Sequence, residues 1–123
     1  MLTCLLSKIK RGEDVEVYEG SGYRNWLHVD DVVRAIRFCL TNDATPNTIT
    51  HIGYHQSTRV IDLVNYAIEI TGSKSRVTRV PVPRCHQVAQ VESFHMDTTK
   101  LRSLGFIPEL DAYQAVEKVL GEL

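Results

Sequence analysis

The sequence predicts an α/β domain, and three observations carry that prediction. Apolar residues recur at helical spacing in several runs, glycines stand directly after most of those runs, and short period-two or β-branched stretches fall between them. A chain of 123 residues suits one domain rather than two and is long enough to bury a core without staples.

Leu2, Leu5, Leu6 and Ile9 make the first helical stripe, with Lys8, Lys10 and Arg11 near its end, where cations complement the negative helix terminus. Gly12 stops it. Nothing but Met1 precedes the stripe as a cap, so the chain is expected to begin inside a longer protein. Glu13 and Asp14 then lead into Val15-Glu16-Val17-Tyr18, a period-two strand with both valines on one face. Gly20 and Gly22 open a loop that ends at Tyr23-Arg24.

Trp26-Leu27-His28-Val29 reads as extended, and Asp30 takes the N-cap slot of the next helix with Asp31 in its first turn. That helix runs through Val32, Val33, Ala35, Ile36, Cys39 and Leu40. Its apolar positions cover more than half of the circumference, which predicts packing on two sides. A polar loop over 41–47 contains the helix-stopping Pro46, and Thr48 to Ile52 follows as a β-branched strand ending at Gly53.

Ser57 and Thr58 offer cap oxygens to a helix bearing Val60, Ile61, Leu63, Val64, Ala67, Ile68 and Ile70, with Gly72 past its end. Basic residues alternate with Val77 and Val80 in a strand closed by Pro81 and Pro83, and Arg84 to Glu92 reads as irregular surface. Asp97 caps a short turn over 98–104 that Gly105 ends. Asp111 opens a last helix with Ala112, Ala115, Val116, Val119 and Leu120 on its face.

A formal net charge of -1 with 24% charged residues leaves no bulk basic field, so nucleic acid and anionic membranes are not expected partners and any phosphate binding is local. Cys4, Cys39 and Cys85 are odd in number and widely spaced, which suits reduced thiols in the cytoplasm rather than disulfides or a zinc ribbon. No apolar run approaches membrane-spanning length, and the basic residues of 1–11 follow the apolar ones, the reverse of a signal peptide. Within this plain background Arg24 stands out. A guanidinium on a glycine-flanked loop is a candidate anion clamp, because its planar fork matches phosphate oxygens two at a time.

The run Arg24-Asn25-Trp26-Leu27-His28-Val29-Asp30-Asp31-Val32 resembles the Arg-Asp-Phe/Trp-x-x-Val-Asp-Asp-Val pattern of the extended short-chain dehydrogenase/reductase family, the NAD-dependent nucleotide-sugar epimerases and dehydratases. Ile49 to Gly53 is similar to that family's Tyr/Phe-Asn-Ile-Gly strand, and Ile61-Asp62-Leu63 to its helix-opening Glu/Asp-Leu. Asp97-Thr98-Thr99-Lys100-Leu101-Arg102-Ser103-Leu104-Gly105-Phe106 with Pro108 resembles its Asp-x-Ser/Thr-Lys-x-Arg-x-Leu-Gly-Trp/Phe-x-Pro motif. These motifs come in the family's order, span nearly the whole chain and match the carboxy-terminal part of such enzymes. The resemblance therefore implies a small substrate-binding subdomain plus the last helix and strand of a Rossmann-like parallel sheet whose main part is absent.

Two absences shape the expected function. No Gly-x-x-Gly-x-x-Gly follows a strand, so there is no dinucleotide turn, and the tyrosines at 18, 23, 54, 66 and 113 lack a lysine four residues on. In the family that tyrosine is the acid or base and the lysine lowers its pKa. The resemblance thus implies a nucleoside-diphosphate-sugar-binding portion without catalytic residues or a cofactor site of its own, with NAD(P) in the missing amino-terminal half and no metal. Its expected partner is a second copy or a chain carrying that half. The alternatives are a stand-alone, non-catalytic nucleotide-sugar-binding or regulatory module, and a structural remnant without ligand.

By the resemblance, Arg24 contacts the diphosphate, and the backbone of Val17 and Tyr18 borders the base. A second family arginine lies ten residues before the aspartate of the last motif. Counting back from Asp97 puts Gln87 there, and the nearest arginine is Arg84. Asn25 stands in place of the usual aspartate, and Arg59 where a Ser or Thr cap is usual. Each residue also has a structural reading. Arg24 can pair with Glu19 or Glu13, Trp26 can anchor a core, and His28 between apolar neighbours suits a satisfied, half-buried histidine. Cys39 suits a core position, and Lys100 and Arg102 a solvated helix face. His51 and His55 flank Gly53 without the geometry that would aim both at one metal.

Overall fold

The computed structural model describes residues 2–43, 45, 48–88 and 91–123. The proline stop at Pro46 and the 89–90 part of the irregular segment lie outside the described residues. Helix α1, Leu2–Lys10, turns Leu6 and Ile9 inwards. Gly12 reverses the chain after it at φ 75°, a left-handed conformation that strains any residue with a Cβ. Strand β1, Val15–Tyr18, buries both of its valines and exposes Glu16.

β2, Tyr23–Arg24, is followed by the helix α2, Val29–Thr41. β3, Thr58–Arg59, pairs antiparallel with β2, Tyr23 opposite Arg59 and Arg24 opposite Thr58. α3, Val60–Thr71, ends on Gly72 in the left-handed conformation, whose N–H donates back into the last turn. β4, Val77–Val80, runs parallel to β1 in the register Val15 with Val77 through Tyr18 with Val80. Helix α4, Arg84–Gln87, α5, Thr99–Ser103, and α6, Ala112–Glu122, complete the chain. Asp111 caps α6 in a capping box with Gln114, so orphan N–H groups at that helix start are satisfied.

The larger core joins β1 to α1, α3 and α6 through Leu6, Ile9, Val15, Leu63, Val64 and Val116, with Trp26 packed at its edge. A smaller core gathers Ala35 of α2, Leu101 of α5 and Phe106. Asp31 joins the two. It is 1% exposed, and its carboxylate accepts the N–H groups of Glu109 and Leu110, each at 3.0 Å, and a guanidinium N–H of Arg34. Arg34 in turn reaches Glu109 at 2.9 Å and lies over the Phe106 ring, and Lys118 of α6 pairs with Asp30.

The structure corrects several local expectations. His28, not Asp30, is the N-cap of α2: its Nδ1 accepts the Asp30 N–H at 3.2 Å, so both aspartates fall inside the first turn. His28 is also fully buried rather than half-buried. Ser57 and Thr58 do not cap α3. The β2–β3 pairing commits the Thr58 backbone, Ser57 donates to the Phe94 carbonyl, and Arg59 sits at the cap without a side-chain bond. The first residues of the stretch expected to be irregular form α4, with the Pro83 carbonyl accepting the His86 and Gln87 N–H groups. Thr48 to Ile52 is not a strand. Among the described residues no neighbouring strand offers it a ladder, and Lys100 Nζ takes the Ile49 carbonyl at 2.8 Å instead. Lys100 is therefore a tie and not merely a solvated side chain.

Two-sided packing of α2 is half realised. Ala35 faces the smaller core, whereas Val29, Val33, Ile36 and Leu40, at i, i+4, i+7 and i+11, form an exposed apolar stripe with Leu40 at 82%.

Asp31→Ala would leave two N–H groups without their acceptor, each costing about 1–3 kcal/mol. The Arg34 contact adds little because that guanidinium faces solvent. Urea denaturation should show a clear loss of stability for Asp31→Ala and a much smaller one for Arg34→Met. Equal losses would mean that the backbone contacts are not what Asp31 contributes.

Candidate functional site

A cleft of about 280 Å³ opens where β1 and β4 end side by side. The carboxyl ends of parallel strands are where open α/β sheets place ligands, since the strand ladders stop and backbone and loop side chains face the crevice. One wall is Val17 and Tyr18. Arg79 stands beside Val17 on the neighbouring strand, and Gly20 to Gly22, Arg59 and Glu92 complete the lining. The Tyr18 hydroxyl lies 3.1 Å from Nδ1 of His86 on α4, and the two rings are tilted with centroids 5.8 Å apart.

Arg24 lies beside this cleft and does not line it. Its guanidinium donates to the carbonyl oxygens of Tyr23 at 2.8 Å, Glu92 at 3.4 Å and Val91, so neither Glu13 nor Glu19 is its partner; Glu13 pairs with Arg11. These bonds hold residues 91–94 as a strap across β2. Phe94 N–H donates to Tyr23 O at 2.9 Å, and Ser57 Oγ donates to Phe94 O. A Cβ on Gly22 would stand 1.7 Å from the Glu92 carbonyl oxygen, so only glycine lets the strap come this close.

Asn25 explains its own departure from aspartate. Its amide donates to Tyr54 O at 2.6 Å and accepts from Tyr54 N at 3.0 Å, a two-way bond that a carboxylate, which only accepts, cannot make. Trp26 is structural, half-buried with Nε1 donating to Thr58 O at 2.9 Å, and Cys39 packs against the smaller core.

Of the residues singled out in the sequence, Val17 and Tyr18 border the cleft and Arg24 adjoins it. Arg84 and Gln87 ride on α4 outside the lining, with Gln87 Nε2 donating to Val82 O. Nothing local marks Arg59 or Arg79 for this cleft: Arg59 stands at a helix cap and Arg79 in a strand of alternating basic residues and valines, and only the strand pairing gathers them. Arg59 is held by both oxygens of Asp62, at 2.8 and 2.9 Å, and that hydrogen-bonded pair raises its already high pKa.

A larger cleft of about 610 Å³ lies between α1, residues 26–29 and α6. Its walls are mainly apolar, no arginine or lysine lines it, and His28 there is already occupied as a cap. It is poorly suited to an anion. Among the described residues no group of three or more His, Cys, Asp or Glu side chains is placed to hold a metal, and no helix is long and apolar enough to cross a membrane.

A family model described as the NAD dependent epimerase/dehydratase family matches residues 1–53. The dTDP-glucose 4,6-dehydratase of Streptomyces niveus is 30% identical over 113 residues, covering 89% of this chain and 32% of that protein. Among solved structures, the UDP-glucose 4-epimerase of Thermotoga maritima, determined with UDP-glucose, superposes with a TM-score of 0.85 at 25% identity. The match covers 98% of this chain and 38% of that one. The dTDP-glucose 4,6-dehydratase of Bacillus anthracis, determined with NAD, shares the fold at a TM-score of 0.76 and 17% identity, over 98% and 37% of the two chains. The chain thus spans about a third of the length of these relatives.

Gly22→Ala should push the strap off β2. The Phe94 amide would then exchange with solvent at least about tenfold faster, while amides in α3 keep their protection. Unchanged Phe94 protection would show that the strap does not depend on the close approach at Gly22.

Proposed function

We propose that the chain, which is similar over residues 1–53 to the NAD dependent epimerase/dehydratase family and along most of its length to a dTDP-glucose 4,6-dehydratase, is the nucleoside-diphosphate-sugar-binding portion of such an enzyme and does not turn over substrate alone. The observation that carries this is the cleft at the carboxyl ends of β1 and β4, bordered by Val17 and Tyr18 in a chain whose epimerase relative was determined with UDP-glucose. In this reading the Val17 and Tyr18 backbone meets the base and Arg24 the diphosphate. Arg24 would exchange strap carbonyls for phosphate oxygens, which is favourable because a bond to a charged acceptor is roughly twice as strong as one to a neutral carbonyl. Arg84 and Gln87 stay outside the cleft lining, and the proposed binding does not rely on them.

The chain has no Gly-x-x-Gly-x-x-Gly turn to seat a dinucleotide on a helix N-terminus. NAD(P) would belong to the remaining length of a family member, and so would the tyrosine and lysine that move the proton. What this chain's residues contribute is orientation: a fixed base edge, a cation near the diphosphate, and a strap over the cleft.

Calorimetric titration with UDP-glucose and dTDP-glucose tests the reading. At least one should bind, and Arg24→Ala should weaken it by about tenfold. Absence of binding to any nucleotide sugar would leave a structural remnant. The exposed stripe of α2 and the unpaired Thr48 to Ile52 segment give a second expectation, because apolar helix faces and unladdered backbone seek cover. Light scattering at high concentration should find the chain self-associated, or monomeric only with a partner carrying the family's remaining length. A monodisperse monomer alone would refute this.

A further inference from the structure

Resting on the nucleotide-sugar reading, we propose that Arg79 supplies the second phosphate-facing cation of the cleft, the role for which the sequence pointed to the Arg84 or Gln87 position. The cleft holds two guanidinium groups and they are not equivalent. Arg59 is gripped by both oxygens of Asp62 and leans over the Tyr23 ring, 5.9 Å from its centroid, so its charge is already offset and its fork already occupied. Arg79 forms no ion pair among the described residues. Its backbone is nonetheless fixed. It stands opposite Val17 in the parallel ladder, and the next residue, Val80, accepts the Glu19 N–H at 2.8 Å. The result is a fixed stretch of backbone that carries a guanidinium without an ion-pair partner among the described residues, on the same cleft as Val17 and Tyr18.

Glu19 and Glu92 also line the cleft, so an incoming diphosphate meets two carboxylates and needs a cation that is not already spent on a neighbour. Arg24 is occupied by the strap carbonyls until it exchanges them, whereas Arg79 is available at first encounter. A planar fork aimed at paired phosphate oxygens suits arginine over lysine. Arg79 therefore recognises the diphosphate itself and is indifferent to which sugar follows it.

The test uses the 123-residue chain with two probes, inorganic pyrophosphate and UDP-glucose, titrated into wild type, Arg79→Met, Arg79→Lys and Arg84→Met, each checked for an unchanged far-ultraviolet spectrum. The expected result is binding of both probes to wild type, a loss of about tenfold or more for both in Arg79→Met, and a partial recovery in Arg79→Lys. If Arg79→Met weakens pyrophosphate while UDP-glucose binds no tighter than pyrophosphate, the Arg79 assignment stands and the nucleotide-sugar reading falls. Unchanged affinity in Arg79→Met, or a loss in Arg84→Met instead, overturns the Arg79 assignment and leaves the nucleotide-sugar reading in place. Failure of wild type to bind either probe overturns both.

Discussion

The buried carboxylate of Asp31 is the constraint on which the arrangement of this chain depends. It stands in the first turn of α2 and takes two backbone N–H groups from the turn before α6, so one side chain fixes the start of one helix against the approach to another. The helix dipole favours an acid at that position, but the dipole alone would be content with an exposed one. Burial turns a mild preference into a requirement, because the carboxylate has given up water and must find its partners in the protein. With α2 so held, the preceding residues are constrained too. Trp26 bonds to Thr58 and Asn25 to Tyr54, and both contacts bring the start of α2 and the strand before α3 into one frame. The cleft inherits its shape from that frame.

The site is a meeting of two kinds of support. β1 and β4 form a rigid parallel pair that places Val17, Tyr18 and Arg79, whereas β2 and β3 are two residues each and gain their order from side chains. Arg24 is one of those side chains. A guanidinium bonded to three carbonyl oxygens is a structural tie, and because carbonyls carry no net charge, phosphate oxygens would displace them in the binding proposed for Arg24. A lysine would supply the charge but could not span Tyr23, Val91 and Glu92 with a fixed planar fork.

Much of this architecture was legible along the chain because the signals were local. The stripe of α1, the alternation of β1, the glycine after α3 and the Asp111 cap are each decided within a few residues, and each stands where its pattern places it. What was not legible depended on contacts distant in sequence. The cap at His28 and the short ladder from Arg24 to Thr58 cannot be read from their neighbours. Arg79 sits in a strand that pattern alone shows only as basic residues alternating with valines, and pairing with β1 is what sets it beside Val17 at the cleft. The Thr48 to Ile52 segment failed in the opposite sense: its β-branched composition is that of a strand, but composition supplies propensity and not a hydrogen-bonding neighbour.

That segment and the apolar stripe of α2 belong to one physical problem. Ile36 and Leu40 line a shallow hollow with Thr48, Thr50 and Ile52, and the Thr50 hydroxyl is buried there without a hydrogen-bond partner. A buried hydroxyl without a partner costs free energy, and so does the hydration of an apolar row that includes Leu40. Ile49, at 84% exposure, extends the same apolar surface. A strand laid along 48–52 would cover Ile36 and Leu40, which is the apolar cover that the proposed self-association or partner would supply. The polar and apolar demands coincide in space, as they do where a sheet edge meets its covering helix, although 48–52 forms no strand here.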